Sequence, residues 1–191
     1  MTDAKPIIFS GPMVRAILAG RKWQTRRVLK PQPVAVTMVG VRWPDGVLTT
    51  HADNKGRLPY LPGDLLWVRE TWCNDIGSPS EVSYRATAEE DSWQPDEVAA
   101  HRWRASIHMP RWASRIMLRV TEVRVQRVQD ISERDAEAEG VKPVLVPPDG
   151  GSCPHVEGFA AFWNTLHAER PGCSWDDDPW VAAISFERII Q

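Results

Sequence analysis

At 191 residues the chain is long enough to bury a core without metal or disulfide support, and its 42% hydrophobic and 25% charged content excludes a fibrous or wholly disordered protein. A formal net charge of −2 excludes a general polyanion binder. Three cysteines at unpaired spacings (Cys73, Cys153, Cys173) exclude a disulfide scaffold and predict a reducing, cytoplasmic setting, and no run is apolar enough to predict a signal peptide or a membrane partner.

In chain order, Pro6–Phe9 is a short apolar run that predicts a strand. Ser10 then serves as an N-cap with Pro12 in the first turn, Met13, Ile17 and Leu18 keep helical spacing, and Gly20 ends the helix. Arg21 begins a post-helix segment that turns into a strand through Thr25 and Val28. Residues 30–60 form an excursion with the turn signal Pro44-Asp45-Gly46 and weak hairpin strands around Val39–Trp43. Pro62-Gly63-Asp64 precedes a strong strand over Leu65–Trp72.

Residues 74–105 are a second, polar excursion, in which Val82–Arg85 is the one plausible strand. Ile116–Val128 alternates apolar residues with arginines, and a phase slip near Thr121-Glu122 suits a bulge. Ile131–Gly140 is an acidic helix, with Ser132 as N-cap, Asp135 in the manner of a capping box, and Gly140 as terminator. A Pro/Gly-rich loop at 143–155 leads to a helix carrying Phe159, Phe162, Trp163 and Leu166, and Trp180–Phe186 is a closing strand. The order predicts one α+β domain over 1–191, built on a curled, barrel-like sheet with short flanking helices.

Charge is segregated. Lys5, Arg15, Arg21, Lys22, Arg26, Arg27, Lys30 and Arg42 occupy a stretch with no acidic residue, and seven arginines from Arg102 to Arg127 face Glu122 alone. With a total near zero, such segregation points to a local anionic or polar ligand; solvated faces are the plainer alternative. Ten tryptophans suit core packing first and base stacking second.

The most specific stretch is Gly20–Arg27, GRKWQTRR. A first helix ending Ile17-Leu18-Ala19-Gly20-Arg21-Lys22, then Thr25, Pro62-Gly63-Asp64 before Leu65–Val68, the acidic helix and a last strand ending Ile184-Ser185-Phe186-Glu187 together resemble the ASCH family of the PUA-like superfamily. PGDLLWVRETW and IHMPRWASRIMLRVT further resemble a phage- and prophage-associated subgroup. The resemblance implies a PUA-like β-barrel and covers the chain outside its three excursions. It also implies a site: members that hydrolyse the amide of acetylcytidine use a lysine, a threonine three residues later and a glutamate near the end of the acidic helix, here Lys22, Thr25 and Glu139. Trp23 departs from the small hydroxylic residue common after the lysine, and its bulk would narrow or cap the pocket.

The residue types suit that chemistry. A threonine hydroxyl needs a base, a desolvated lysine can serve as one, and a glutamate can orient it or relay a proton to the leaving amine. Without the resemblance, Lys22 and Thr25 read as a solvated post-helix turn and Glu139 as a surface carboxylate. Arg21 and Arg26 are further ligand candidates, Arg26 because its fork suits a phosphate or carbonyl oxygen. Glu70 and Trp72, on one face of a strand, could accept from a base's exocyclic amine and stack on its ring, or form an ion pair and a core contact. Arg111 and Ser114 could hold a phosphate.

Cys153, His155 and Cys173 lack a second ligand pair for zinc, so no metal or other cofactor is expected. Ser10-Gly11-Pro12 lacks the glycine pattern of a P-loop. The expected function is binding of a nucleoside or nucleic acid, with hydrolysis of an acylated cytidine as the specific form. A non-catalytic reader of RNA or single-stranded DNA and an ASCH-type nuclease are the alternatives.

Overall fold

The computed structural model describes residues 4–50, 56–74, 82–88, 96, 98, 102–144 and 154–189. The chain divides into two compact units. Unit 1 takes Met1–Gly20, Asp64–Arg119 and Glu187–Gln191, and unit 2 takes Arg21–Gly63 and Val120–Phe186.

In unit 1, β1 (Lys5–Ile8) runs parallel to β6 (Leu65–Arg69), with Lys5 opposite Leu66 and Ile8 opposite Arg69. A parallel pair cannot be closed by a tight turn. Helix α1 (Gly11–Leu18) accordingly follows β1, burying Met13, Val14, Ala16 and Ile17. Ser10 holds the N-cap position in extended conformation, although its side chain makes no capping bond, and Gly20 ends the turn at a φ of 70°. On its other side β6 pairs antiparallel with the start of β9 (Met117–Arg127), Trp67 opposite Met117.

The single strand expected over 65–72 divides in two. After Arg69 the Glu70 N–H donates to Met109 Sδ (3.3 Å), and pairing resumes as β7 (Trp72–Cys73) against β8 (Ser83–Tyr84). Trp72 packs with Met109 and Ala113, which two 3-10 turns at Ser106–His108 and Arg111–Ala113 hold in place.

In unit 2, β2 (Gln24–Val28) pairs antiparallel with β10 (Trp180–Ile189). The excursion at 30–60 contains a small sheet of β3 (Ala35–Thr37), β4 (Gly40–Arg42) and β5 (Leu48–Thr49). Gly40 is required there: its φ is 153°, and a side chain would collide with the Thr49 carbonyl. Helices α2 (Glu133–Ala138) and α3 (Pro154–His167) cover a core of Val128, Ile131, Ala136, Phe159, Trp163 and Val181. Along β9 the buried positions change parity, from Leu118 and Val120 to Val125, across the exposed Thr121 and Glu122. The expected phase slip lies there.

The fold is therefore mixed α+β with a mostly sheet core and few helices. The expected barrel is corrected: the strand order is β1-β6-β9-β10-β2, and among the described residues the two outer strands do not close on one another. No described helix is long and apolar enough to cross a membrane. Cys153 and residues 145–152 of the third excursion lie outside the described residues.

Candidate functional site

The pleat of β2 puts Gln24 and Arg26 on one face, because alternate residues of a strand point the same way. The helical repeat puts Asp135 and Glu139 on one face at the end of α2, four residues apart. These faces meet in unit 2. Arg26 donates from Nη1 to Gln24 Oε1 (2.7 Å) and Glu139 Oε1 (3.1 Å), and from Nη2 to Asp135 Oδ2 (3.2 Å). Gln24 Nε2 donates to Asp135 Oδ1 and to Ser185 Oγ, its partner across the β2–β10 ladder, each at 3.2 Å. Arg124, from β9, donates to Asp135 Oδ2 (2.9 Å).

Lys22 completes the cluster from the segment before β2. Its Nζ donates to Gln24 O (2.8 Å), Glu139 O (2.8 Å) and Glu139 Oε2 (2.7 Å). Three acceptors match the three hydrogens of an ammonium. The bond to Glu139 O also satisfies a carbonyl at the end of α2, where a cation complements the helix dipole. Either side of this contact, Trp23 N donates to Ala138 O (3.0 Å) and Phe186 N donates to Trp23 O (2.9 Å), so the backbone fixes where Lys22 starts. Trp23's own side chain is 39% exposed.

Lys22, Thr25, Arg26 and Glu139 are each less than 5% exposed, which overturns the solvated-turn and surface-carboxylate readings. Burial pulls the Lys22 pKa below the ordinary lysine value, while the charge and hydrogen bond of Glu139 pull the other way. For Asp135 burial pushes upward, but Arg124, Arg26 and Gln24 outweigh it and hold the carboxyl below its usual range. Three cations (Lys22, Arg26, Arg124) meet Glu139 and Asp135, and Arg124 also pairs with Glu122 at 3.7 Å. Among the described residues Arg26 Nε and Arg124 Nε are buried with no hydrogen-bond partner, Arg124 Nε standing 3.7 Å from Glu122 Oε2. An acceptor-rich ligand is the chemical complement of such a cluster.

Lys22 and Glu139 therefore meet across 117 positions of sequence. Thr25 pairs with Ile184 and is out of phase with Gln24 and Arg26, so the pleat turns its side chain to the other face of β2. Arg21 is exposed. Asp135, read from sequence as half of a capping box, keeps only part of that role. Its N–H bonds to Ser132 Oγ (3.1 Å), but its carboxylate faces Gln24, Arg26 and Arg124. Gln24, Arg124, Asp135 and Ser185 were not singled out as site residues from sequence. The strand spacing of Gln24 and Arg26 and the helical spacing of Asp135 and Glu139 were the available signals.

The remaining candidates lie in unit 1. Glu70 is 1% exposed and is gripped by both sides of the Arg115 fork, at 2.9 and 3.0 Å. Trp72 is core, with Trp112 edge-on at 5.8 Å. Because the strand breaks between them, Glu70 and Trp72 do not share one strand face, and the ion-pair and core readings hold. Ser114 Oγ donates to Val68 O (2.8 Å), while Arg111 is exposed. Cys173 is a buried free thiol, and among the described residues no group of three or more His, Cys, Asp or Glu is placed to hold a metal.

No protein-family model matches the chain, and no curated protein matches it. Among solved structures it is similar to a protein of Enterococcus faecalis V583 assigned to the family DUF984, with 13% identity over 99% of this chain and 82% of that one and a TM-score of 0.46. It is also similar to the ASCH domain from Lactobacillus crispatus JV V101, with 14% identity over 92% of this chain and 69% of that one and a TM-score of 0.39.

Proposed function

We propose that unit 2 binds a nucleobase-containing ligand at the Lys22–Arg26–Glu139 cluster. The observation that carries this reading is the buried Arg26 Nε, a donor without a hydrogen-bond partner among the described residues, which complements the carbonyl oxygens and ring nitrogens of a base. Three charged side chains buried together (Lys22, Arg26, Glu139) are a costly way to hold a strand to a helix, and such clusters concentrate at functional sites. The residue types match those implied by the ASCH resemblance.

The finer reading is hydrolysis of the amide of an acylated cytidine such as acetylcytidine. Glu139 Oε2 accepts from Lys22 Nζ at 2.7 Å and orients the amine, whose neutral form is the base. Burial pulls Lys22 toward that neutral form. The neutral amine takes a proton from a water whose oxygen attacks the amide carbon, and the resulting ammonium gives a proton to the cytidine nitrogen as the C–N bond breaks, leaving acetic acid.

Incubation with acetylcytidine should release cytidine, measured by chromatography, and Lys22→Ala should abolish release. The rate should rise with pH to a plateau reached below the ordinary lysine value of about 10.4. Absence of product at high enzyme concentration refutes the hydrolase. Absence of calorimetric cytidine binding refutes the wider reading.

A second reading is supported by unit 1. Arg102, Arg104, His108 and Arg111 are exposed, with Trp112 54% exposed, along a segment without a carboxylate. Exposed basic side chains in the same segment as a half-exposed indole suit single-stranded RNA or DNA without turnover. Binding of a labelled oligonucleotide should then weaken steeply with salt and fall with Trp112→Ala.

A further inference from the structure

A cavity of about 350 Å³ lies within unit 1, apart from every residue assigned above. Its wall follows from the register of β7 and β8. Trp72 faces Tyr84 across the ladder, so the next pair outward is Thr71 and Arg85, joined by the Arg85 N–H to Thr71 O bond (3.0 Å). Pairs alternate between faces. Trp72 and Tyr84 turn to the Met109 core, and Thr71 and Arg85 turn to the cavity.

Arg15, from the last turn of α1, forms a second basic wall. Its Nη1 donates to Ala86 O (2.8 Å), which fixes the guanidinium at the rim. The Arg85 guanidinium and the Thr71 hydroxyl have no partner, and no carboxylate lines the cavity among the described residues. Pro12, Ala86 and Val98 supply an apolar side, and Gly11 keeps the first turn of α1 free of a side chain.

Two guanidiniums and a hydroxyl converging on one space are the recognition set for a phosphate group, with forked donors matching its oxygens. The volume exceeds what a lone phosphate fills and falls at the small end of ligand pockets, which run from about 300 Å³ upward. We propose that this cavity binds a phosphorylated small molecule of mononucleotide size, with its phosphate between Arg15, Arg85 and Thr71 and its body along Pro12, Ala86 and Val98. The proposal does not depend on the reading of Lys22 and Glu139.

The test is titration of the full chain with inorganic phosphate, with CMP and with cytidine, followed by calorimetry and by amide resonances. Phosphate and CMP should saturate and shift the Gly11, Thr71 and Arg85 amides, and cytidine should leave those amides unmoved. Arg85→Ala combined with Thr71→Val should weaken CMP about tenfold or more, since charge-assisted hydrogen bonds are lost. Arg85 is exposed and Thr71 lies at the cavity wall, so the variant should keep the wild-type melting profile. Arg85→Lys should recover part of the affinity, retaining charge without the fork.

An oligonucleotide bearing a 5′-phosphate distinguishes the source of the group. Binding as tight as CMP assigns the site to a polymer end, and weaker binding assigns it to free nucleotides. Failure of phosphate and CMP to saturate overturns the proposal. So does CMP binding that moves only the Lys22–Arg26 amides or survives the double substitution. A cytidine-binding result at Lys22 is read separately, from those same amides.

Discussion

Each unit buries a glutamate against arginine, and the two arrangements behave differently. In unit 1, Glu70 has one cationic partner, Arg115, whose side chain is 25% exposed and stacks on the Tyr84 ring at 3.9 Å. In unit 2, Glu139 has two cationic partners, Lys22 and Arg26, neither of which reaches solvent. Burial pushes the Glu70 carboxyl up despite Arg115. In unit 2, burial pulls the Lys22 pKa down, against the charge and hydrogen bond of Glu139. A pair with one foot in water can rehydrate its cation when broken, whereas a sealed cluster cannot. The sealed cluster is thus the costlier of the two to break.

The largest effect should follow Glu139→Ala, which strands two cations out of water. A loss of about 3–5 kcal/mol in chemical denaturation is expected. Glu139→Gln should soften it by keeping an acceptor of the same shape. Glu70→Ala should cost less, about 1–3 kcal/mol, because Arg115 can turn to solvent and keeps Thr87 Oγ1 as a partner (3.1 Å). Equal losses would erase the distinction between the two pairs.

Next in size are opposite slopes of stability against pH. Glu70 has a raised pKa, so the folded chain binds its proton more readily than the unfolded chain does. Its contribution should therefore fall as pH rises from about 4.3 through the folded value. Asp135 has a lowered pKa, so its contribution is present above about 3.9 and disappears as pH falls through the folded value. Glu70→Gln should flatten the first decline and Asp135→Asn the second. A Glu70→Gln variant with the wild-type slope above pH 5 would place the slope elsewhere.

Local structure was largely legible in the sequence, for reasons visible residue by residue. Ser132 and Gly140 bracket α2 because an oxygen acceptor and a left-handed turn are local requirements, met at the Asp135 N–H and at a φ of 75°. The parity change in β9 was legible because alternation needs no partner strand. Non-local outcomes were not. The parallel pairing of β1 with β6 leaves no mark in either segment, and the break at Glu70 depends on Met109, 39 positions away. Within the site, Lys22 and Glu139 were named through family resemblance. Asp135 was mistaken for a cap alone, because nothing near it in sequence announces Arg26 and Arg124. Periodicity tells which face a residue shares, not what that face meets.

The smallest effect should come from Arg115→Lys, and it isolates geometry from charge. Lysine keeps the positive end near Glu70 but replaces two parallel N–H bonds with a point charge and loses the planar stack on Tyr84. The expected loss is about 1 kcal/mol, the scale of one net hydrogen bond, together with a further upward move of the Glu70 titration. The titration is the sharper readout, since a general packing defect would lower stability without moving that carboxyl. In unit 2, Lys22→Arg meets the reverse problem: a fork must enter a space shaped for one nitrogen bonded to Gln24 O, Glu139 O and Glu139 Oε2. A larger loss there than for Arg115→Lys is expected in denaturation. The reverse ranking would mean that the cluster around Glu139 tolerates either cation and is held by charge alone.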